Sequence, residues 1–190
     1  FIQYIVNKIM NEIQLHDKKF EVFIKADELK HIVSSLAKKI NESNLENPLF
    51  IVVLNGSFLF ASDLIKKIEI PNTEISFIKI SSYIGLESSG NLKKVFGIEK
   101  DLSNRNIFII EDIVDSGNTI HEVVKIFNNK NVKNIKIITL LYKPDAYKKK
   151  IKIDYIGKSI SNDFVVGYGL DYDGLGRNLP EKLLEFVMRL

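Results

Sequence analysis

The stretch Ile107-Phe108-Ile109-Ile110-Glu111-Asp112-Ile113-Val114-Asp115-Ser116-Gly117-Asn118-Thr119-Ile120 runs from a solid apolar segment into three carboxylates, a glycine and a threonine. Its pattern predicts a strand over Ile107 to Ile110, buried on both faces. A helix then starts near Thr119 and carries Ile120, Val123, Val124 and Phe127 on one side. Crowded carboxylates at a strand end repel one another and resist burial, so a bare fold has little reason to gather Glu111, Asp112 and Asp115 there. Sugar hydroxyls and a divalent cation are natural partners, because carboxylates accept hydrogen bonds and ligate hard cations through oxygen. The turn Asp115 to Thr119 has the makings of a phosphate cradle. Gly117 can take positive φ, Ser116 and Thr119 offer hydroxyls, and a helix N-terminus presents free N–H groups. A lone D-S-G-x-T is more often a capped helix after an acidic turn; the apolar strand and the Glu-Asp pair ahead of it favour the cradle.

Working outward, Leu49 to Leu54 (LFIVVL) is a second buried strand, stopped abruptly by Asn55-Gly56-Ser57. A helix with Phe58, Ala61, Leu64, Ile65 and Ile68 on one face should follow. Upstream, Asp27 reads as an N-cap for a helix with Leu29, Ile32, Val33, Leu36, Ala37 and Ile40 at helical spacing, ended by the breakers of Asn41 to Pro48. Strands are expected at Ile75 to Ile80 and Ile135 to Leu141, with a polar, Gly- and Ser-containing stretch from Ser81 to Asn91. Strands alternating with helices imply an α/β fold: an open, mainly parallel twisted sheet with helices on both faces, and ligands at the carboxyl ends of its strands.

The 190 residues suit one domain, and 45% hydrophobic with 27% charged residues exclude a disordered or low-complexity chain. Lys and Arg number 27 against 24 Asp and Glu, a formal charge of only +3, so no nucleic-acid or membrane partner is expected. The absence of Cys removes disulfides, thiolate zinc sites and Cys nucleophiles, and agrees with a reducing, cytoplasmic location. No apolar run is long enough to span a bilayer, and Phe1 to Lys8 lacks the features of a signal peptide. His16, His31 and His121 have no metal partner at motif spacing, and the basic run Lys148 to Lys152 is expected to face water. Neither G-x-x-x-x-G-K-[ST] nor G-x-G-x-x-G occurs, which speaks against a P-loop NTPase and a dinucleotide-dependent dehydrogenase.

The apolar strand, acidic pair, Asp115 and Ser116-Gly117-Asn118-Thr119 turn resemble the phosphoribosyl pyrophosphate signature of the type I phosphoribosyltransferases. Leu54-Asn55-Gly56-Ser57-Phe58 is similar to that family's first loop, whose unusual peptide bond helps receive pyrophosphate. Asn55 stands where many members carry Lys. Ser81-Ser82-Tyr83 is similar to the start of the family's mobile lid. The segment Asp163 to Tyr172 (DFVVGYGLDY), continuing to Arg177-Asn178-Leu179, resembles the purine end of the hypoxanthine (guanine) members; Lys158 to Asn162 replaces a more apolar, Pro-containing stretch there. The resemblance implies one phosphoribosyltransferase domain over residues 1–190, with a small hood from about 1–25 and 150–190.

By the same resemblance, Glu111 and Asp112 hold the ribose hydroxyls, and together with Asp171 they hold magnesium (Mg2+). Asp115 to Thr119 grips the 5′-phosphate. Asn55, Gly56, Ser82, Tyr83 and Arg177 complete the phosphoribosyl pyrophosphate site. Phe164 stacks on the purine, Val165 offers backbone groups to its edge, Asp171 brings its backbone near, and Lys143 donates to the exocyclic oxygen of a 6-oxopurine, rejecting adenine. Asp115 is the expected general base. The expected activity is purine salvage, transferring the phosphoribosyl group to hypoxanthine and guanine, in a homodimer or homotetramer. The rival expectations are a regulatory protein that senses phosphoribosyl pyrophosphate or purines, and a xanthine-preferring relative.

Overall fold

The computed structural model describes residues 12–83, 92–97 and 100–186. Its larger sheet is built on β3 (Pro48–Leu54) and β6 (Asn106–Val114), flanked by β4 (Glu74–Tyr83), β5 (Leu92–Phe96), β7 (Asn134–Tyr142) and β8 (Tyr155–Ser159). The spatial order is β5-β4-β3-β6-β7-β8, parallel throughout except for the antiparallel edge β5. The apolar runs read from the sequence are the central strands. Phe50, Val52, Phe108 and Ile110 face one layer, where they meet helices α1 (Ala26–Asn41) and α2 (Phe58–Ile65). Leu49, Ile51, Val53, Ile107 and Ile109 face the other, where α3 (Asn118–Asn128) supplies Ile120, Val123 and Phe127. Alternation of side chains across a strand explains why both sets must be apolar in a sheet covered on both faces.

Several boundaries differ from the sequence expectation, each for a physical reason. β6 runs to Val114 rather than Ile110, because the parallel ladder with β7 continues through Glu111↔Thr139 and Ile113↔Leu141. Glu111 and Asp112 therefore lie inside a strand. Lys25, not Asp27, occupies the N-cap of α1; Asp27 sits in the first turn, where it suits the helix dipole and accepts a hydrogen bond from Lys30 at 2.8 Å. β4 reaches Tyr83, so Ser82 and Tyr83 belong to a strand paired with β5, and residues 84–91 of the expected lid lie outside the described residues. Ile68 lies beyond the end of α2 yet still packs on the core.

A second, antiparallel sheet of order β1-β2-β10-β9 forms the hood from β1 (Glu12–Leu15), β2 (Lys18–Ile24), β10 (Lys182–Glu185) and the two-residue β9 (Val165–Val166). Its small core is Leu15, Phe20, Val166, Leu179 and Leu183. β8 lies in the larger sheet and not in the hood. After β9 the chain makes two tight turns. Gly167 and Leu170 exchange two backbone hydrogen bonds around Tyr168 and Gly169, and Tyr172 and Leu175 do the same around Asp173 and Gly174. All four central residues have positive φ, the pattern of hairpin turns whose twist matches the flanking strands.

Phe50 and Phe108 stack with ring centroids 4.8 Å apart, both fully buried. Phe108→Ala is expected to cost about 3–5 kcal/mol in urea denaturation, while Ala at exposed Lys150 should change stability by less than about 0.5 kcal/mol. The turn glycines should separate strain from contact. A Cβ at Gly174 meets nothing within 4 Å, so Gly174→Ala is expected to cost only the positive-φ penalty, about 1–2 kcal/mol. A Cβ at Gly169 would stand 1.9 Å from the Gly56 carbonyl oxygen, so Gly169→Ala should add about 1–3 kcal/mol of overpacking, read from the same unfolding curves.

Candidate functional site

The carboxyl ends of β3 and β6, the turn before α3 and the turns after β9 converge on one side of the molecule. The Leu54–Asn55 peptide bond is cis and opens the loop Asn55-Gly56-Ser57 at the end of β3. A Cβ on Gly56 would stand 1.6 Å from Asp112 Oδ2, and one on Gly169 would strike the Gly56 carbonyl oxygen. Asp112, the first loop and the turn after β9 are thus in direct contact through positions that only glycine can fill. Elements separated by more than a hundred residues share this contact, which brings together Asp112, Gly56 and the turn at Gly169.

Glu111 and Asp112 are almost fully buried, at 8% and 5% exposure. Burial, and secondarily the Asp112 charge beside it, push the Glu111 carboxyl well above the usual range, and its Oε2 has no hydrogen-bond partner. Burial also raises Asp112; the Lys182 charge and the Ile113 N–H, which donates to Oδ1 at 2.8 Å, oppose the shift. Lys182 in β10 is fully buried, its Nζ has no hydrogen-bond partner, and burial pushes it down to about 8 against the attraction of Asp112. The acidic pair is therefore held in the protein without full compensation. Such a site favours a ligand that brings its own donors or cation.

Asp115 lies outside the strand, with half of its side chain exposed, and accepts a 3.2 Å hydrogen bond from the buried Lys143 ammonium. Lys143 follows β7 and is tied to β6 through its N–H, which donates to the Val114 carbonyl. The next residues wrap a cavity of about 240 Å³ lined by Glu111, Asp115, Ser116, Gly117, Asn118 and Thr119. Gly117 is the N-cap of α3 at φ 80°, so the helix N-terminus faces this space. Backbone N–H groups and the dipole at a helix N-terminus give this end of the cavity the chemistry to receive an anion.

In the segment leading into β9, Phe164 is 40% exposed, touches Tyr172 edge-on at 5.8 Å, and has Lys18 Nζ 5.1 Å from its ring centre. Val165 is buried in β9. Asp171 and Arg177 are paired at 2.6 Å, and Arg177 also donates to the Gly169 carbonyl at 2.8 Å. The second Asp171 oxygen accepts from the Gly174 N–H at 2.8 Å. The backbone of Ser82 and Tyr83 lies at the end of β4, next to β3 in the sheet.

Some neighbours of the site escaped the sequence. Tyr147 and Lys149 lie over Gly117, where an added Cβ would meet the Tyr147 ring at 2.4 Å and Lys149 Cγ at 3.0 Å. Lys149, expected to face water with the rest of its run, is half-buried there. Lys18 and Lys182 come from hood strands, and only the hood's register brings them inward. The one available signal was a Lys set between Pro180 and the Leu183-Leu184 pair, an apolar context for a charge. Among the described residues no three His, Asp or Glu side chains converge as a self-sufficient metal cage, and no helix is long and apolar enough to cross a membrane.

The chain matches the phosphoribosyl transferase domain over residues 25–173. It is 37% identical over 168 residues, 87% of this chain and 93% of the relative, to a hypoxanthine-guanine phosphoribosyltransferase of Staphylococcus aureus. A crystal structure of hypoxanthine phosphoribosyltransferase from the same species matches with a TM-score of 0.79 at 33% identity, covering 87% of this chain and 91% of that one. A Bacillus anthracis hypoxanthine-guanine phosphoribosyltransferase with a HEPES molecule in its active site matches with a TM-score of 0.78 at 35% identity, covering 88% of this chain and 98% of that one. Strand order, the converging loops and these matches agree, and the chain belongs to the phosphoribosyltransferase family, with the type I fold.

Proposed function

We propose that the site transfers the 5-phosphoribosyl group from phosphoribosyl pyrophosphate to hypoxanthine or guanine, giving IMP or GMP and pyrophosphate. The single observation that supports this is the contact of Asp112 with Gly56 and of Gly56 with Gly169, which joins the acidic pair, the first loop and the turn after β9, the three segments to which the reading gives sugar, pyrophosphate and purine. A purely regulatory sensor is not favoured by relatives that are enzymes along nearly their whole length.

In the reaction a purine ring nitrogen attacks the anomeric carbon as the bond from that carbon to the pyrophosphate oxygen breaks. Asp115 takes the proton of the ring nitrogen, a role that its half-exposed carboxylate suits. Lys143 has three donors, so its hydrogen bond to Asp115 leaves others for the exocyclic oxygen of a 6-oxopurine. An amino group at that position cannot accept, which disfavours adenine. Phe164 and Val165 flank the base, and Asp171 brings its backbone beside it. Ser116, Gly117, Asn118 and Thr119 hold the 5′-phosphate through hydroxyl and N–H groups. Asn55, Gly56, Ser82, Tyr83 and Arg177 receive the pyrophosphate, and Glu111 and Asp112 accept from the ribose hydroxyls.

Enzymes of this family generally need a divalent metal ion. The partnerless Glu111 Oε2 and the carboxylate oxygens of Asp112 and Asp171 suit a hard cation, and magnesium is our assignment. Magnesium often relies on one or two carboxylates together with substrate phosphates, which agrees with the lack of a protein-only cage among the described residues. When bound, the ion supplies charge neutralisation to the leaving pyrophosphate. A cytoplasmic homodimer or homotetramer belongs to the same proposal, on family grounds.

Incubation with phosphoribosyl pyrophosphate and magnesium, offering hypoxanthine, guanine, xanthine and adenine separately, should yield IMP and GMP by mass spectrometry; AMP or XMP as the main product would overturn the assignment. Asp115→Asn should lower kcat about 10²- to 10⁴-fold while the nucleotide still binds. Turnover at the parent rate would remove Asp115 as the base.

A further inference from the structure

Tyr168 is an awkward residue for its place. It sits at φ 43° in the turn Gly167 to Leu170, flanked by two glycines that also have positive φ. Such a turn is best served by Gly or Asn, and a bulky side chain there is disfavoured. The fold alone therefore gives no reason for an aromatic residue. Its side chain is 8% exposed, and its hydroxyl donates to Asp63 Oδ2 of α2 at 2.7 Å, across 105 residues of sequence. Burial first, and then the Asp63 carboxylate, hold that hydroxyl far above its ordinary range, so it remains a donor at any working pH. The other Asp63 oxygen takes Lys66 at 3.2 Å, which leaves Oδ2 to the tyrosine.

Helix α2 begins directly after the first loop, whose Asn55 and Ser57 carbonyls accept from the Phe58 and Ala61 N–H groups. One residue beyond Tyr168, the Gly169 backbone rests on the Gly56 carbonyl, and the Gly169 carbonyl accepts from Arg177. The turn that follows Phe164 and Val165 is thus fastened twice to the unit that carries the pyrophosphate loop: by backbone contact at Gly56, and by the tyrosine hydroxyl further along the helix.

We infer that Tyr168 is a positioning residue, whose hydrogen bond to Asp63 fixes the purine-side turn on the pyrophosphate-loop unit so that filling one half of the site favours filling the other. This inference rests on the functional assignment above. Tyr168 acts in this role through the turn it holds, by its hydrogen bond to Asp63. By linkage such a gain is reciprocal: each ligand raises the other's affinity by the same factor.

The test is calorimetric titration of hypoxanthine with and without saturating pyrophosphate and magnesium, a pair that cannot react because no ribose is present. The parent should bind the base at least about fivefold more tightly when pyrophosphate is present, within the usual range of coupling between sites. In Tyr168→Phe that ratio should fall below about twofold; Asp63→Ala should do the same from the other side, and the double variant should lose no more than either alone. A merely structural tyrosine would lower the thermal midpoint and weaken both ligands while leaving the ratio intact, and that result overturns the inference, as does a parent that binds both ligands without coupling. A parent that binds neither ligand overturns the functional assignment as well, so the two failures are distinct.

Discussion

A carboxylate cannot be buried cheaply in a parallel sheet, yet this fold buries two in succession on its central strand. Glu111 and Asp112 lie within the β6 strand that begins with Asn106-Ile107-Phe108-Ile109-Ile110, and the ladder with β7 runs on past them, so their side chains inherit the low dielectric of the core end. Asp112 fits because Gly56 lacks a side chain, and Gly56 can come that close because Gly169 also lacks one. The acidic pair therefore dictates the loops around it. Lys182 enters from the hood as a partial counter-charge, and the remainder of the electrostatic deficit is left for whatever binds. A site that is incomplete without its ligand binds donors and cations more strongly than a self-compensated one would, at the expense of the empty protein's stability.

The third acidic residue is treated differently. Asp115 lies past the end of the strand, half-exposed, and its contact is with the Lys143 ammonium. Only two residues separate it from Asp112, yet the end of the ladder at Val114 divides a buried pair suited to binding from a half-exposed carboxylate suited to receiving a proton. The strand terminus sets this division: a group on the regular strand is enclosed by its neighbours, whereas one in the turn can approach a ligand from the side.

Most of the large sheet was legible in the sequence because its strands are buried on both faces and read as unbroken apolar runs, LFIVVL and IFII among them. The acidic motif was legible for the opposite reason, since carboxylates after such a run contradict the local pattern. β6 nevertheless extends past its apolar part, and periodicity cannot see a strand that continues through Glu and Asp. The hood was the least legible part. β9 has two residues and β10 four, and the pairing of β10 with β2, about 160 residues upstream, is a long-range matter that no local window contains. Lys182 is the clearest case: a lysine is read as surface by default, and only its register opposite Ile24 puts it in the interior.

The same limit explains why Tyr168 could be quoted within a motif and still have no role read from it. Between two glycines at the end of the apolar pair Val165-Val166, it reads as one more core aromatic. Its partner, Asp63, reads as a solvated position on the outer face of an amphipathic helix, and its Lys66 neighbour strengthens that impression. The residues acquire meaning from one another only once β9 has joined the hood sheet and α2 has packed beneath the larger one. Chemistry concentrated in a single loop leaves a local signature, as Asp115 to Thr119 does. Chemistry that depends on holding two loops at a fixed separation is written in pairs whose members are individually ordinary, and the three-dimensional contact is the first place where it can be read.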